Sequence, residues 1–518
     1  MGTRTTRLLT AALILGGALG CAPAGGSAVR VQISSDMRTM VPGIDAADGL
    51  TSGILLHLVE GLVAFGETGD VKPLMAEAVQ VSPDGLSYTF QLRKGLRFHN
   101  GAEVTAADVE WSWGYFMRQG EWRCQREFDG RGIAKVVGVR VEDPLTITFI
   151  LDKPNAMFLA TMARPDCAMA PVVHKSSLSA DGTWAWPVGT GPFRFVEWKR
   201  GEYVRLHRFE EYVSREGGVD GYTGSKQVFI DDLYFVVVPD TSTAIAALKS
   251  GAIDVIPYLS PSEYSALKDD PAITMSVTPN MGMITLLFQT RDPLLKNDTL
   301  RQALAAAVDT ERLAAAASDG LARRNNSVVP SSSAYHTAVH DEGYRYDPVL
   351  AKRLLAEAGY KGERLVIQTN QRFPWSYNVA IVAQSMLQAA GVNVTLEVLE
   401  WTTQLARYWN GSYQISAFPY SAQLDPAFGY QTILGSKDEQ PQKVWEDRTA
   451  LALNAQAFRT ADRASRQPLF DQLHRLFLRQ VPMLMIYNNI DVGASARRIE
   501  GYQTWQARPR LWEVRIKP

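Results

Sequence analysis

Cysteine is scarce in this 518-residue chain, which holds three, Cys21, Cys124 and Cys167. None stands in a CxxC pair, so the redox and zinc-ribbon motifs built on that spacing are excluded. HExxH, GxSxG, the P-loop and the EF-hand loop are also missing. With them go the signatures of a zinc protease, a serine hydrolase of the elbow type, an NTPase and a calcium sensor. The seven histidines are scattered and mark no catalytic base. Net charge is small as well: −1 for the whole chain, and −3 once Arg4 and Arg7 of the first twenty residues are left out. That argues against nucleic acid or an anionic lipid surface as the main partner. A hydrophobic content of 46% with 21% charged residues is that of a globular protein. The length is too great for one core, so two or three domains are expected. No internal repeat and no low-complexity run follows the leader.

The leader occupies residues 1–20. Arg4 and Arg7 form a positive start, and residues 8–20 are apolar or small apart from Thr10. This reads as a secretory signal, too short for a comfortable membrane span. Ala18-Leu19-Gly20-Cys21 resembles a bacterial lipobox, with Ala18 where Leu is usual. Lipidation of Cys21 is therefore expected, with residues 21–27 as a tether; the competing reading is plain cleavage nearby with Cys21 discarded. With Cys21 used, Cys124 and Cys167 remain as an even pair in an exported chain. They suggest a disulfide worth about 4 kcal/mol on the chain-entropy view, or else two buried thiols.

The stretch 58–109 organises the rest. Ser82-Pro83-Asp84-Gly85 is a turn, with Pro setting φ and Gly free to take φ > 0. Residues 86–93 alternate as a half-buried strand, with Tyr88, Phe90 and Leu92 on one face. Asn100-Gly101 turns again. Thr105 with Asp108 resembles a capping box and opens a helix carrying Val109, Trp111 and Trp113.

Further along, a helix is expected over 51–62 and a hairpin over 136–151. Residues 233–238 read as a strand buried on both faces, and Asp240 as the cap of a helix ended by Gly251. Residues 284–288 read as a strand and Asn297-Asp298 as the start of a helix. Strand 365–368, helix 377–390 and strand 392–398 form a βαβ unit. A helix over 463–478, a strand over 483–487 and a return segment to 518 complete the chain. Gly189-Thr190-Gly191 is not a phosphate loop, because Pro192 removes an amide donor and a strand follows it.

Several of these words occur together: Glu60-Gly61-Leu62, Pro73-Leu74-Met75-Ala76-Glu77, Ser82 to Gly85, Leu92-Arg93-Lys94-Gly95, Phe98-His99-Asn100-Gly101 and Asp108-Val109. Together they closely resemble the signature of family-5 extracellular solute-binding proteins, the dipeptide, oligopeptide and nickel receptors of bacterial ABC importers. The GTGPF turn at 189–193 and the helix words from Arg301-Gln302-Ala303 to Val308-Asp309 extend the resemblance over the mature chain.

The resemblance implies a periplasmic-binding-protein-like α/β fold, with two large lobes, a hinge, an inter-lobe cleft and an inserted α+β domain. Residues 28–65, 186–280 and 490–518 would form lobe I, 66–185 the inserted lobe II, and 281–489 lobe III. It implies a non-enzymatic monomer without a cofactor. Such a protein, in the periplasm on a lipid anchor, would capture a peptide or peptide-like solute and deliver it to the transmembrane subunits of an ABC permease. An exported hydrolase with an aromatic cleft and a nickel-type metal-chelate receptor are the alternatives.

For the site, aromatic residues near strand ends stand out: Trp375, Trp401, Tyr420 and Phe428, since ligands in open α/β sheets bind beyond the carboxyl ends of strands. Arg372 with Phe373 resembles the family's Arg-aromatic turn, which implies a guanidinium on a ligand carboxylate. In the loop Tyr420-Ser421-Ala422-Gln423-Leu424-Asp425-Pro426, Ala422 occupies the place where the dipeptide receptors carry an Asp for the peptide ammonium. A buried ammonium without a partner is costly, so free dipeptides are expected to bind poorly unless Asp425 substitutes. Tyr420, Ser421 and Gln423 offer neutral hydrogen bonds. His336 and His340, one helical turn apart, are the one pair with metal-ligand spacing, and they read as a surface loop.

Overall fold

A computed structural model of the chain describes residues 27–44, 49–132 and 134–517. The expected signal peptide and Cys21 lie outside the described residues. Two sheets carry the architecture. The larger has ten strands and runs, from one edge, Val394–Val398, Leu365–Thr369, Ile415–Tyr420, Ile273–Phe288, Met483–Ala496, Val255–Ile256, Ala28–Ile33, Asp232–Val237, Tyr203–Arg208 and Phe193–Lys199. The smaller is antiparallel, in the order Ala76–Val81, Ser87–Leu92, Thr146–Leu151 and Val136–Asp143.

The local chemistry explains the small sheet. Gly85 takes φ +70° and its N–H donates to the Ser82 carbonyl at 2.8 Å, closing the turn between the first two strands. Thr105 caps the helix Ala106–Arg118, and the Thr105 N–H donates back to Asp108 Oδ2 at 2.9 Å. That helix packs its buried Val109 and Phe116 toward the sheet. Cys124 and Cys167 are joined as a disulfide, with Cα atoms 5.7 Å apart.

Two expectations need correction. The helix at 51–62 is only Gly49–Leu55. Beyond it the chain turns, because residues 57–61 must run against 189–191, where side chains would not fit. The run at 233–238 is not buried on both faces. Leu233 and Phe235 are fully buried, but Tyr234, Val236 and Val237 are half-exposed, so one face of Asp232–Val237 is fully covered and the other only in part.

The strands Ile273–Phe288 and Met483–Ala496 are far longer than their sequence segments suggested, and they pair antiparallel along almost their whole length. Met483–Ala496 pairs near its end with Val255–Ile256, and the Met283–Phe288 part of the other strand pairs with Ile415–Tyr420. Their register shifts between Pro279 and Met283. Side chains replace the lost ladder there. Asn280 Nδ2 donates to Asp491 Oδ1 at 2.9 Å, the Gly282 N–H to Asn280 Oδ1 at 2.6 Å, and Asn488 Nδ2 to the Gly282 carbonyl at 3.2 Å. An interrupted ladder between two continuous strands is where a sheet bends most cheaply.

His57 is wholly buried among Phe193, Phe235 and Trp512. Its Nδ1 lies 2.8 Å from the Gly53 carbonyl, and its Nε2 accepts from the Leu511 N–H at 3.3 Å. Loss of hydration pulls its pKa from 6.5 down to about 4. The unfolded chain binds a proton at 6.5 and the native one does not, so stability is full above 6.5 and is lost as pH falls toward 4. The loss from this group is about 3 kcal/mol. NMR titration is expected to show a neutral His57 imidazole at pH 5.5; ordinary titration near 6.5 would refute this.

Candidate functional site

Leu365–Thr369 runs parallel to both Val394–Val398 and Ile415–Tyr420, so the three strands present their carboxyl ends on one side. The helix Pro374–Ala389 links the first two. Just past those ends lie Phe373, Trp401 and Ser421, with Trp375 and Tyr420 beside them, and together they line one wall of a cleft of about 430 Å³. The wall is fixed from behind. Asn370 Nδ2 donates to Gln404 Oε1 at 2.7 Å, Asn370 Oδ1 accepts from the Phe373 N–H at 3.0 Å, and Gln404 Nε2 donates to the Ala417 carbonyl at 2.8 Å. Phe373 meets Trp401 edge-on, with ring centroids 4.8 Å apart. Such a volume with aromatic faces suits a small organic solute.

The facing wall is charged. Arg123, Arg164, Asp166 and Arg508 all line it. Arg164 grips Asp166 with two parallel bonds, Nε to Oδ1 at 3.0 Å and Nη2 to Oδ2 at 2.6 Å, and Arg123 Nε adds a contact to Oδ2 at 3.1 Å. Burial pushes the Asp166 carboxyl up, but Arg164, Arg123 and Arg508 outweigh it and hold it below its ordinary range. The Arg164 guanidinium also lies 5.8 Å from the Phe428 ring centroid across the cleft. Arg508 spends Nε on Ser52 Oγ at 2.9 Å and Nη1 on the Gln506 carbonyl at 3.0 Å. Asn280 and Asn489, beside the register break, form part of the lining. Two bonds outside the cleft lining join the segments 66–185 and 281–489: the Ala334 N–H donates to the Thr68 carbonyl at 2.9 Å and Arg466 Nη2 to Met157 Sδ at 3.2 Å.

The family model described as bacterial extracellular solute-binding proteins, family 5 (middle), matches residues 70–441. The chain belongs to that family. This solute-binding protein is 28% identical over 467 residues to the dipeptide-binding protein of Escherichia coli (strain K12), covering 84% of each. It is 27% identical over 464 residues to heme-binding protein A of Haemophilus influenzae, covering 84% of this chain and 82% of the relative. In structure it resembles the ABC-transporter substrate-binding protein CtaP of Listeria monocytogenes, with a TM-score of 0.81 at 23% identity, covering 95% of this chain and all of that one. The periplasmic-binding-protein fold expected from the sequence is therefore the observed one.

Of the residues singled out from the sequence of this solute-binding protein, Phe373, Trp375, Trp401, Tyr420, Ser421 and Phe428 line the cleft. Arg372 does not. It is exposed, with its guanidinium 5.9 Å from the Phe373 ring centroid. Asp425 is also outside the lining, and its carboxylate is occupied. Oδ2 and Oδ1 accept from Arg466 Nη1 and Nη2 at 2.8 and 2.9 Å, and Oδ1 also caps the Ala427 N–H. A carboxylate so engaged cannot also pair with a ligand ammonium without leaving a buried Arg466 unpaired. Ala422 does line the cleft.

The reading of His336 and His340 as an exposed loop is corrected. His340 is fully buried at the start of a short helix, between His336 and His474, with centroids 5.5 and 5.3 Å away. Among the described residues no group of three or more His, Cys, Asp or Glu is arranged to hold a metal ion.

Arg123, Arg164 and Arg508 were missed. The signal that would have found two of them is their position. Arg123 precedes Cys124, and Arg164-Pro165-Asp166 precedes Cys167, so a bridge between the cysteines sets these charges side by side. Arg508 carries no such mark.

Proposed function

We propose that this chain is the receptor of an ABC importer, which captures a peptide or peptide-like solute in the periplasm and hands it, chemically unchanged, to a membrane permease. The observation that carries the reading is the cleft whose walls come from opposite sides of the register break at 279–283. A solute touching both walls gains its full contacts only when the halves are closed, so binding selects the closed form. On this reading residues 28–65, 186–280 and 490–518 move as one lobe with 66–185 attached, and 281–489 as the other. Membership of a family of solute-binding proteins supports a non-enzymatic role.

Native mass spectrometry of the purified protein is the test. A retained solute released with its mass unchanged supports the receptor, whereas turnover of a bound compound reverses the reading. Export and anchoring through Cys21 belong to the same proposal. Globomycin is expected to make the precursor accumulate, and unchanged processing would remove the anchor. Among the described residues no helix is long and apolar enough to cross a membrane.

A further inference from the structure

The described charged residues lining the cleft are Arg123, Arg164, Asp166 and Arg508. Three guanidinium groups against one carboxylate give the lining an excess of positive charge, which Glu127, 3.9 Å from Arg164, and the buried Asp491 near Arg508 offset only in part and from outside the lining. Asp166 is already committed to Arg164 and Arg123, so it offers little to a cation. Among the described residues no carboxylate forms an ion pair with Arg508, whose recorded bonds go to a hydroxyl and a carbonyl. The rest of the lining is neutral. Ser421, Gln423, Asn489 and Gln506 give hydrogen bonds, and the aromatic wall gives apolar faces.

This charge is built in rather than left to flexible side chains. The Cys124–Cys167 bridge ties the segment of Arg123 to that of Arg164 and Asp166. Immediately after Cys167, Ala168, Met169 and Ala170 all adopt left-handed conformations, with φ of 52°, 60° and 48°. Each costs an L-residue about 1–2 kcal/mol, and such strain persists only where the surroundings impose it. The Met169 N–H bonds to the Arg164 carbonyl at 2.9 Å, which closes this tight turn under the arginine. Planar guanidinium forks held in place suit carboxylates, which they can grip with two bonds each.

We propose that the cleft selects a small solute bearing two anionic carboxylate groups and no free ammonium, with the anions toward Arg123, Arg164 and Arg508 and its apolar part against Phe373 and Trp401. An N-acylated or N-substituted amino-acid conjugate has that chemistry. Carboxylates meet the positive excess of the lining, whereas an ammonium would enter a positive cleft in which the one lining carboxylate, Asp166, is already engaged.

The inference rests on the receptor reading, and calorimetry with three defined probes separates the two. The probes are N-acetyl-Phe-Glu, free Phe-Glu and free Phe-Ala. N-acetyl-Phe-Glu is expected to bind at least tenfold tighter than Phe-Glu and a hundredfold tighter than Phe-Ala. Arg508→Gln should erase at least tenfold of that preference while an unaltered melting temperature shows the fold intact. Arg123→Gln, at a more exposed position, is the second variant and should act in the same direction. Equal or tighter binding of Phe-Ala overturns the inference and leaves the receptor standing. Failure of all three probes also overturns it; if in addition no solute is retained by the purified protein, the receptor reading falls with it. Preference for the diacid that survives both substitutions overturns the assignment of its carboxylates to this arginine wall.

Discussion

Lys226→Met is expected to lower the stability of the protein by about 3–5 kcal/mol, the usual cost of stripping one partner from a buried ion pair. Lys226 and Glu60 are almost wholly buried, with side chains 1% and 0% exposed, and their charged atoms are 2.9 Å apart. Glu60 Oε1 also accepts from the Tyr212 hydroxyl at 2.9 Å, and Oε2 from Thr190 Oγ1 at 3.3 Å. The substitution leaves those two neutral donors facing a carboxylate that has lost its counter-charge. The pair Glu60→Gln with Lys226→Met removes both charges and keeps the amide hydrogen-bonded. It should recover at least half of the loss. Equilibrium denaturation of the wild type, both single variants and the double variant gives the coupling directly. A single-variant loss under about 1 kcal/mol would mean the buried charges are already compensated by other groups.

Gly61→Ala should be as damaging, for a reason of space rather than charge. A Cβ there would stand 1.8 Å from the Met169 carbonyl oxygen, a main-chain atom in the left-handed turn behind Arg164. Neighbouring Gly189 and Gly191 are equally tight, with a Cβ meeting the carbonyls of Leu58 and His57 at 2.1 and 2.4 Å. The three glycines let two loop segments and the 168–170 turn lie backbone against backbone. Because the obstacles are main chain, relief requires moving a segment, and the expected cost is about 3 kcal/mol or more. Gly120→Ala is the control: nothing lies within 4 Å of its added Cβ. Soluble yield and melting temperature should fall sharply for Gly61→Ala and stay within a few degrees for Gly120→Ala. Equal behaviour of the two would show that the turn yields.

Features governed by neighbours in sequence were legible before the structure. The Thr105–Asp108 cap, the Gly85 turn and the Asp240 cap of helix Thr241–Ser250 are local hydrogen-bond patterns, and they stand where the residues put them. The aromatic wall was also legible, since Phe373, Trp401 and Ser421 follow alternating strands whose carboxyl ends define where a ligand goes. The arginine wall was not. Its members come from positions 123, 164 and 508, and no periodicity connects residues so far apart. That Arg372 stands exposed outside the lining is not written in the word around it. The engagement of Asp425 was also out of sight, because its partner Arg466 lies 41 residues on, in a helix whose pattern speaks only of core. The long strands were cut short for a related reason. Residues 273–282 contain Thr, Ser, Pro, Asn and Gly, which carry no strand pattern of their own, and only pairing with 488–496 makes them strand.

The position of Met483–Ala496 has a consequence for how the polypeptide assembles. It lies between Ile273–Phe288 and Val255–Ile256 in the large sheet, yet it is synthesised long after both of them. Until it arrives, the chain holds two half-sheets with open edges, because Val255 and Ile256 have no Ser495 and Ala494 to pair with and Met283 to Leu287 lack their partners at 483–488. The small four-stranded sheet, drawn from residues 76–151, can close on its own much earlier. Closing the large one means joining segments about two hundred residues apart, a slow and entropically costly step. A nascent or truncated chain ending before residue 483 therefore has a folded island and a sticky remainder, and the large sheet becomes protected against proteolysis only when Met483–Ala496 slots into its middle.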